Sequence, residues 1–173
     1  MKKYSPIFYL VLLYTSFSMA QVVHSVQSIT FALPQEAIKI ANTNLNPNNI
    51  KDQTVIKYEN IYKIDDMYFA ITHPATGTMS NDHLDVIKTD HDRLMIDLEF
   101  VEVGQYKSSL EKINNNKVLI YYSFYDNVGD YFFMVLKNDN SEIFSGRIAF
   151  ENQLNYTEAT EILDNFLISV QFE

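Results

Sequence analysis

Residues 118 to 150 read VLIYYSFYDNVGDYFFMVLKNDNSEIFSGRIAF, the stretch that decides how this chain folds. It holds three runs of β-branched and aromatic residues, Val118 to Asp126, Tyr131 to Asn138 and Glu142 to Phe150. Asn127-Val128-Gly129-Asp130 and Asp139-Asn140-Ser141 join them, and connections rich in Asn, Asp and Gly between such runs imply an antiparallel meander. Alternation along the pleat assigns Val118, Ile120, Tyr122, Phe124, Phe132, Met134, Leu136, Phe144, Ile148 and Phe150 to one face. It assigns Tyr121, Tyr125, Tyr131, Phe133, Val135 and Ile143 to the other. Both faces are apolar or aromatic. An antiparallel sheet with one wet face would show polar residues at alternate positions, so this sheet calls for cover on both sides.

Two amphipathic helices are available for that cover. Leu84, Ile87, His91, Leu94 and Leu98 recur at spacings of three and four, one stripe of a helix over residues 81 to 100. Ser80 or Asn81 can cap it, with Asp82 and Asp85 near its positive end. Residues 156 to 169 carry Ala159, Ile162, Leu163 and Phe166 on one face, continued by Val170, with Asn155 as N-cap and Glu158 three residues on. The fold class expected is α+β, a central antiparallel sheet with helices packed on both faces.

The remaining elements are read with the same signals. An earlier strand near Gln105 to Ile113 reaches the meander through Asn114-Asn115-Asn116. Thr54 to Ile64 and Met67 to Thr72, separated by Asp65-Asp66, read as a hairpin, and Asn42 to Asn49 as a loop. Ile29 to Leu33 alternates like a strand ended by Pro34, and Gln35 to Ala41 is a short helix or an extended segment. The break after the hairpin is His73-Pro74-Ala75-Thr76-Gly77.

Residues 1 to 20 stand apart from this pattern. Lys2 and Lys3 precede an apolar run from Pro6 to Phe17, and Ser18 and Ala20 put small residues at the −3 and −1 positions before Gln21. This is the three-part form of a cleaved secretory signal peptide, and the run is too short to serve as a membrane span of about 20 residues. The expectation is an extracytoplasmic product, periplasmic or secreted, with residues 21 to 173 as one domain and no membrane anchor after cleavage. The chain has no cysteine, which excludes disulfides, catalytic thiols and a lipid-modified cysteine. Without Lys2 and Lys3 there remain 11 basic against 22 acidic side chains, taking the formal charge from −9 to −11. Such a surface repels phosphate backbones and anionic lipid, so nucleic acid is not expected as a partner.

Three places resemble a known family. They are Phe31-Ala32-Leu33-Pro34, the strand Ile143 to Phe150 with its central Gly146, and the closing helix Ile162-Leu163-Asp164-Asn165-Phe166-Leu167-Ile168-Ser169-Val170-Gln171-Phe172. With the order of elements, they are similar to the PsbP-like domains, which include small bacterial exported proteins. The resemblance implies a binding, assembly or chaperone-like module without catalytic residues, its protein or small-molecule partner unspecified.

Candidate sites are few. Tyr121, Tyr125, Tyr131 and Phe133, assigned to one sheet face, would make a platform for sugars, peptides or apolar ligands unless a helix covers them, and the favoured reading is that one does. Arg147 is assigned to the same face, to serve an anionic ligand or, the favoured reading, to pair with a carboxylate. His73, His83 and His91, with Asp82, Asp85, Asp90 and Asp92, offer metal-ligand chemistry and hence an alternative as a metal-assisted hydrolase. Yet His83 and His91 are eight residues apart, about 12 Å along a helix, and the aspartates read as caps and a solvated face. No nucleophile elbow or phosphate-cradling glycine pattern occurs, so no cofactor is expected. A third reading, an acidic immunity or inhibitor-like protein, follows from charge alone.

Overall fold

A computed structural model describes residues 20–98 and 106–173. The signal-peptide segment before Ala20 and the expected end of the first long helix, residues 99 to 100, lie outside the described residues. The chain is mixed α+β, mostly antiparallel sheet with three α-helices among the described residues.

The strands are β1 (Gln21–Val26), β2 (Ile29–Pro34), β3 (Ile38–Ile40), β4 (Asn60–Ile64), β5 (Met67–Ile71), β6 (Ala75–Thr76), β7 (Tyr106–Ile113), β8 (Asn116–Tyr125), β9 (Val128–Leu136), β10 (Glu142–Glu151) and β11 (Gln171–Phe172). The helices are α1 (Ile50–Val55), α2 (His83–Asp97) and α3 (Tyr156–Ser169). A large sheet runs β3-β4-β5-β10-β9-β8-β7, with β6 also paired to β10, and a small one runs β1-β2-β11.

The meander forms where its residues predict, with a tighter turn. Asp126 and Asn127 alone connect β8 to β9, both at positive φ (49° and 63°), and Tyr125 pairs with Val128. Asn114 and Asn115 make the same two-residue connection between β7 and β8 (φ 48° and 68°). Asn and Asp tolerate this left-handed geometry, whose twist suits a hairpin. A two-residue turn opposes even-numbered residues on one strand to odd-numbered residues on the next, so Tyr122 faces Tyr131 and Tyr121 faces Phe132. The pleat assignment above is therefore corrected for β9. Tyr131, Phe133 and Val135 share a side with Val118, Ile120, Tyr122, Phe144 and Ile148, while Phe132, Met134 and Leu136 join Tyr121.

The main core forms on the first side, where α3 and the small sheet meet the large one. Phe166 of α3 is fully buried, its ring centroid 4.7 Å from that of Phe69, 5.1 Å from Phe133 and 5.3 Å from Phe31. Ala159, Ile162, Leu163 and Leu167 complete the buried stripe of α3, and the Ser169 hydroxyl accepts from the Ala32 amide at 2.8 Å, tying α3 to β2. Side chains of the opposite pleat form two smaller clusters. Val55 of α1 packs with Ile61, Ala70 and Ala149, and Leu84 of α2 packs with Leu119, Tyr121 and Leu136.

Several expectations change. Thr54 and Val55 end α1 rather than begin a strand, because Asn49 caps that helix by accepting from the Asp52 amide. The stripe of α2 drifts. Leu84 is buried, but Leu94 and Leu98 are about half exposed and Met95 packs inward instead, as a 3.6-residue period requires over three turns. Asn155 makes no side-chain cap to α3; Asn152, at φ 66°, accepts from the Leu154 amide one turn earlier.

Candidate functional site

The corrected register separates the expected aromatic platform. Tyr131 and Phe133 lie under α3. Phe133 is fully buried, and the Tyr131 hydroxyl is 2.8 Å from Thr160 Oγ1. Because Thr160 donates to the Tyr156 carbonyl, Tyr131 is the donor in that contact. Tyr125 shares the pleat of Tyr121 but sits at the strand end and is exposed. Tyr121 is only 4% exposed. The four residues therefore form no common surface. Arg147 does share the side of Tyr121, as expected, with Phe132 between them in register across β8, β9 and β10.

That row floors a cleft of about 380 Å³ lined by Lys57, His91, Met95, Tyr106, Tyr121, Ser123, Asp130, Phe132 and Arg147. Its rings are nearly parallel. The His91 ring, from α2, stacks on Tyr121 at 4.1 Å and 24°, and Tyr121 stacks on Phe132 at 5.8 Å and 16°. The guanidinium of Arg147 lies 5.9 Å from the Phe132 centroid, and Tyr106, at the start of β7, stacks on His91 at 5.6 Å. The Tyr121 hydroxyl is buried and has no hydrogen-bond partner among the described residues.

The polar groups are ordered around this row. Tyr106 donates its hydroxyl proton to Asp92 Oδ1 at 2.6 Å. The Tyr106 oxygen, 3.1 Å from His91 Nδ1, then accepts from that nitrogen, which assigns the proton to Nδ1 and the lone pair to Nε2. Burial, helped by Arg147 and opposed by Asp92, pushes the His91 pKa down, so the ring is neutral at neutral pH. Burial would raise the Asp92 carboxyl, but hydrogen bonds from Lys88, Tyr106 and Ser108 hold it below the ordinary range. Burial pushes the Tyr121 phenol up to about 12 and raises Tyr106 as well, so both remain protonated donors.

Arg147 is held in place by a carboxylate. Its Nε is 3.1 Å from both oxygens of Asp130 and its Nη2 is 2.5 Å from Oδ2, a bidentate pair, while Nη1 reaches the Thr54 carbonyl at 3.4 Å. Burial pushes Asp130 upward against the pull of this guanidinium and of Lys57.

The histidines do not converge. His73 lies in the segment between β5 and β6, His83 starts α2, and His91 lies two turns on against the sheet. Among the described residues no three His, Asp or Glu side chains gather as a metal site would require. A second cavity, about 450 Å³, lies elsewhere, lined mainly by Asn114, Asn116, Lys137, Asn138 and Gln171. Among the described residues it contains no orphaned buried polar group, so volume alone does not single it out.

Lys57, Tyr106 and Asp130 escaped the sequence reading, and Phe132 was assigned to the wrong side. A signal for Phe132 existed: Asp126-Asn127 read as a two-residue turn puts Phe132 directly between Tyr121 and Arg147. No local signal marks Lys57, which follows α1 and reaches the cleft only through the packing of α1 on β10. Comparison of the chain with protein-family models and with curated proteins finds no match.

Proposed function

We propose that this protein is an exported, non-enzymatic binding module of PsbP-like sandwich architecture, which holds a small ligand in the cleft between α2 and the large sheet. The observation that carries the reading is the stacked row His91, Tyr121 and Phe132 with the Arg147 guanidinium at its end, beside a buried Tyr121 hydroxyl that has no partner among the described residues. Rigid rings with a few fixed polar groups are the composition of small-molecule sites, and about 380 Å³ falls within their usual size. The helices support the architecture: α3 packs on one pleat set, α1 and α2 on the other. Export is supported by β1, which starts at Gln21 directly after the expected cleavage point. No helix among the described residues is long and apolar enough to cross a membrane.

The test is chemical-shift mapping of the purified protein against a panel of small aromatic and aliphatic compounds. Binding should move signals of Tyr106, Tyr121 and Phe132 together, and Phe132→Ala should weaken it about tenfold with the fold retained, the scale set by one lost aromatic contact. Shifts that scatter over the surface, or that Phe132→Ala leaves unchanged, would sink the reading.

A further inference from the structure

The charges around the cleft say what kind of ligand it suits. Arg147 and Asp130 cancel as a bidentate pair. Asp92, behind the rings, is neutralised by Lys88 at 2.5 Å. His91 is neutral. Lys57 is exposed and forms no salt bridge among the described residues. The lining therefore carries one uncompensated positive charge in a chain whose formal net charge is −9. Surface carboxylates more than a Debye length of about 8–10 Å away are screened, so the local charge governs a ligand inside the cleft. A cationic ligand would find aromatic faces there but would meet Lys57 and Arg147 at close range. An anion meets the ammonium of Lys57 and N–H groups of Arg147 that Asp130 does not occupy. The buried Tyr121 hydroxyl, a protonated donor, needs an acceptor.

Resting on the binding reading above, we infer that the cleft takes a small planar organic anion, an aromatic carboxylate. Its ring lies along the Tyr121 and Phe132 row, its carboxylate toward Lys57 and Arg147, and an acceptor atom within reach of the Tyr121 hydroxyl. His91 Nε2, with its lone pair, is an acceptor suited to an N–H or O–H on the ligand ring.

Calorimetric titration of the purified protein with three probes tests this. Indole-3-acetate has the ring and the charge, indole-3-acetamide the ring alone, and acetate the charge alone. The expected result is that indole-3-acetate binds at least about tenfold more tightly than the amide, the scale of one charge-assisted contact, and that acetate shows no binding. Lys57→Gln should reduce the preference several-fold by weakening the acid more than the amide, and raised salt should weaken only the carboxylate. Equal affinity for acid and amide, or a preference that neither Lys57→Gln nor raised salt reduces, overturns the anionic class while leaving the aromatic cleft standing. If neither indole binds and neither shifts Tyr121 or Phe132 signals, the binding reading itself fails.

Discussion

The two pleat sets of the large sheet are equally apolar in sequence, yet they are sealed very differently. Against α3 lie Phe69, Phe133 and Phe144, all at 2% exposure or less, and five α3 side chains are buried on them. Against α2 only Leu84 of the helix is fully buried, while Val86, Leu94, Ile96 and Leu98 are about half exposed. The difference lies in the covering helix. The stripe of α3 is continuous over its length, whereas in α2 it is interrupted by His91 and Asp92, which turn polar groups toward Tyr106 and Tyr121. A well-sealed face supplies stability. Under α2, where Leu84 alone of the helix is fully buried, the looser face leaves room for the cleft.

Truncation should separate the two sides most sharply. Phe166→Ala removes the ring that touches Phe31, Phe69 and Phe133, and should cost about 3–5 kcal/mol in urea unfolding. Leu84→Ala, its counterpart under α2, should cost about 2 kcal/mol, the low end for such truncations, because the loosely packed surroundings can relax. Equal losses would show that the α2 side is as tightly packed as the α3 side. Gly146→Ala probes the sealed side by overfilling. The new Cβ would sit 2.2 Å from the Phe133 ring and 2.8 Å from the Ala70 carbonyl oxygen, so a loss of about 1–3 kcal/mol should follow.

Acid should test both sides at once. His24 is packed between Phe31 and Tyr62 with Nε2 buried and without a hydrogen-bond partner among the described residues, and burial together with Lys39 lowers its pKa. His91 is lowered too, but Asp92 opposes the shift. For both, the unfolded state takes up protons first, so stability is full above about pH 6.5 and falls as pH drops through that value. His24→Phe should remove more of this acid loss than His91→Phe, measured as the change in urea midpoint across that pH. The smallest effect belongs to the exposed face of α2. Ile96→Lys should shift stability by no more than about 0.5 kcal/mol, and a larger loss would mean that α2 is anchored through Ile96.

Much of the fold was legible because its signals are local. Alternating aromatic and β-branched residues marked β8, β9 and β10, Asp65-Asp66 marked the β4–β5 turn, and the spacing of Ala159, Ile162, Leu163 and Phe166 marked α3. Less was legible where a segment takes its structure from neighbours. The strand β1 has two exposed valines and a histidine, and pairs only because β2 offers an edge. Residues 50 to 55 are β-prone at Thr54 and Val55, yet the Asn49 cap and the packing of Val55 on Ala70 and Ala149 make them helical. Within the site, Tyr121 and Arg147 were assigned to one face from the sequence, but the joining of His91 to them was not.

The sequence alone determined the types of β8, β9, β10, α2 and α3, the absence of thiol chemistry, the acidic composition and the need to cover two apolar pleat sets, since each depends on composition or on residues a few positions apart. The tertiary structure decided which aromatic rings share a side, that Arg147 pairs with Asp130, and that Lys57 reaches the same cleft. The physical reason is register: two residues, Asp126 and Asn127, set the parity of every side chain on β9, and with it the place of Phe132 between Tyr121 and Arg147.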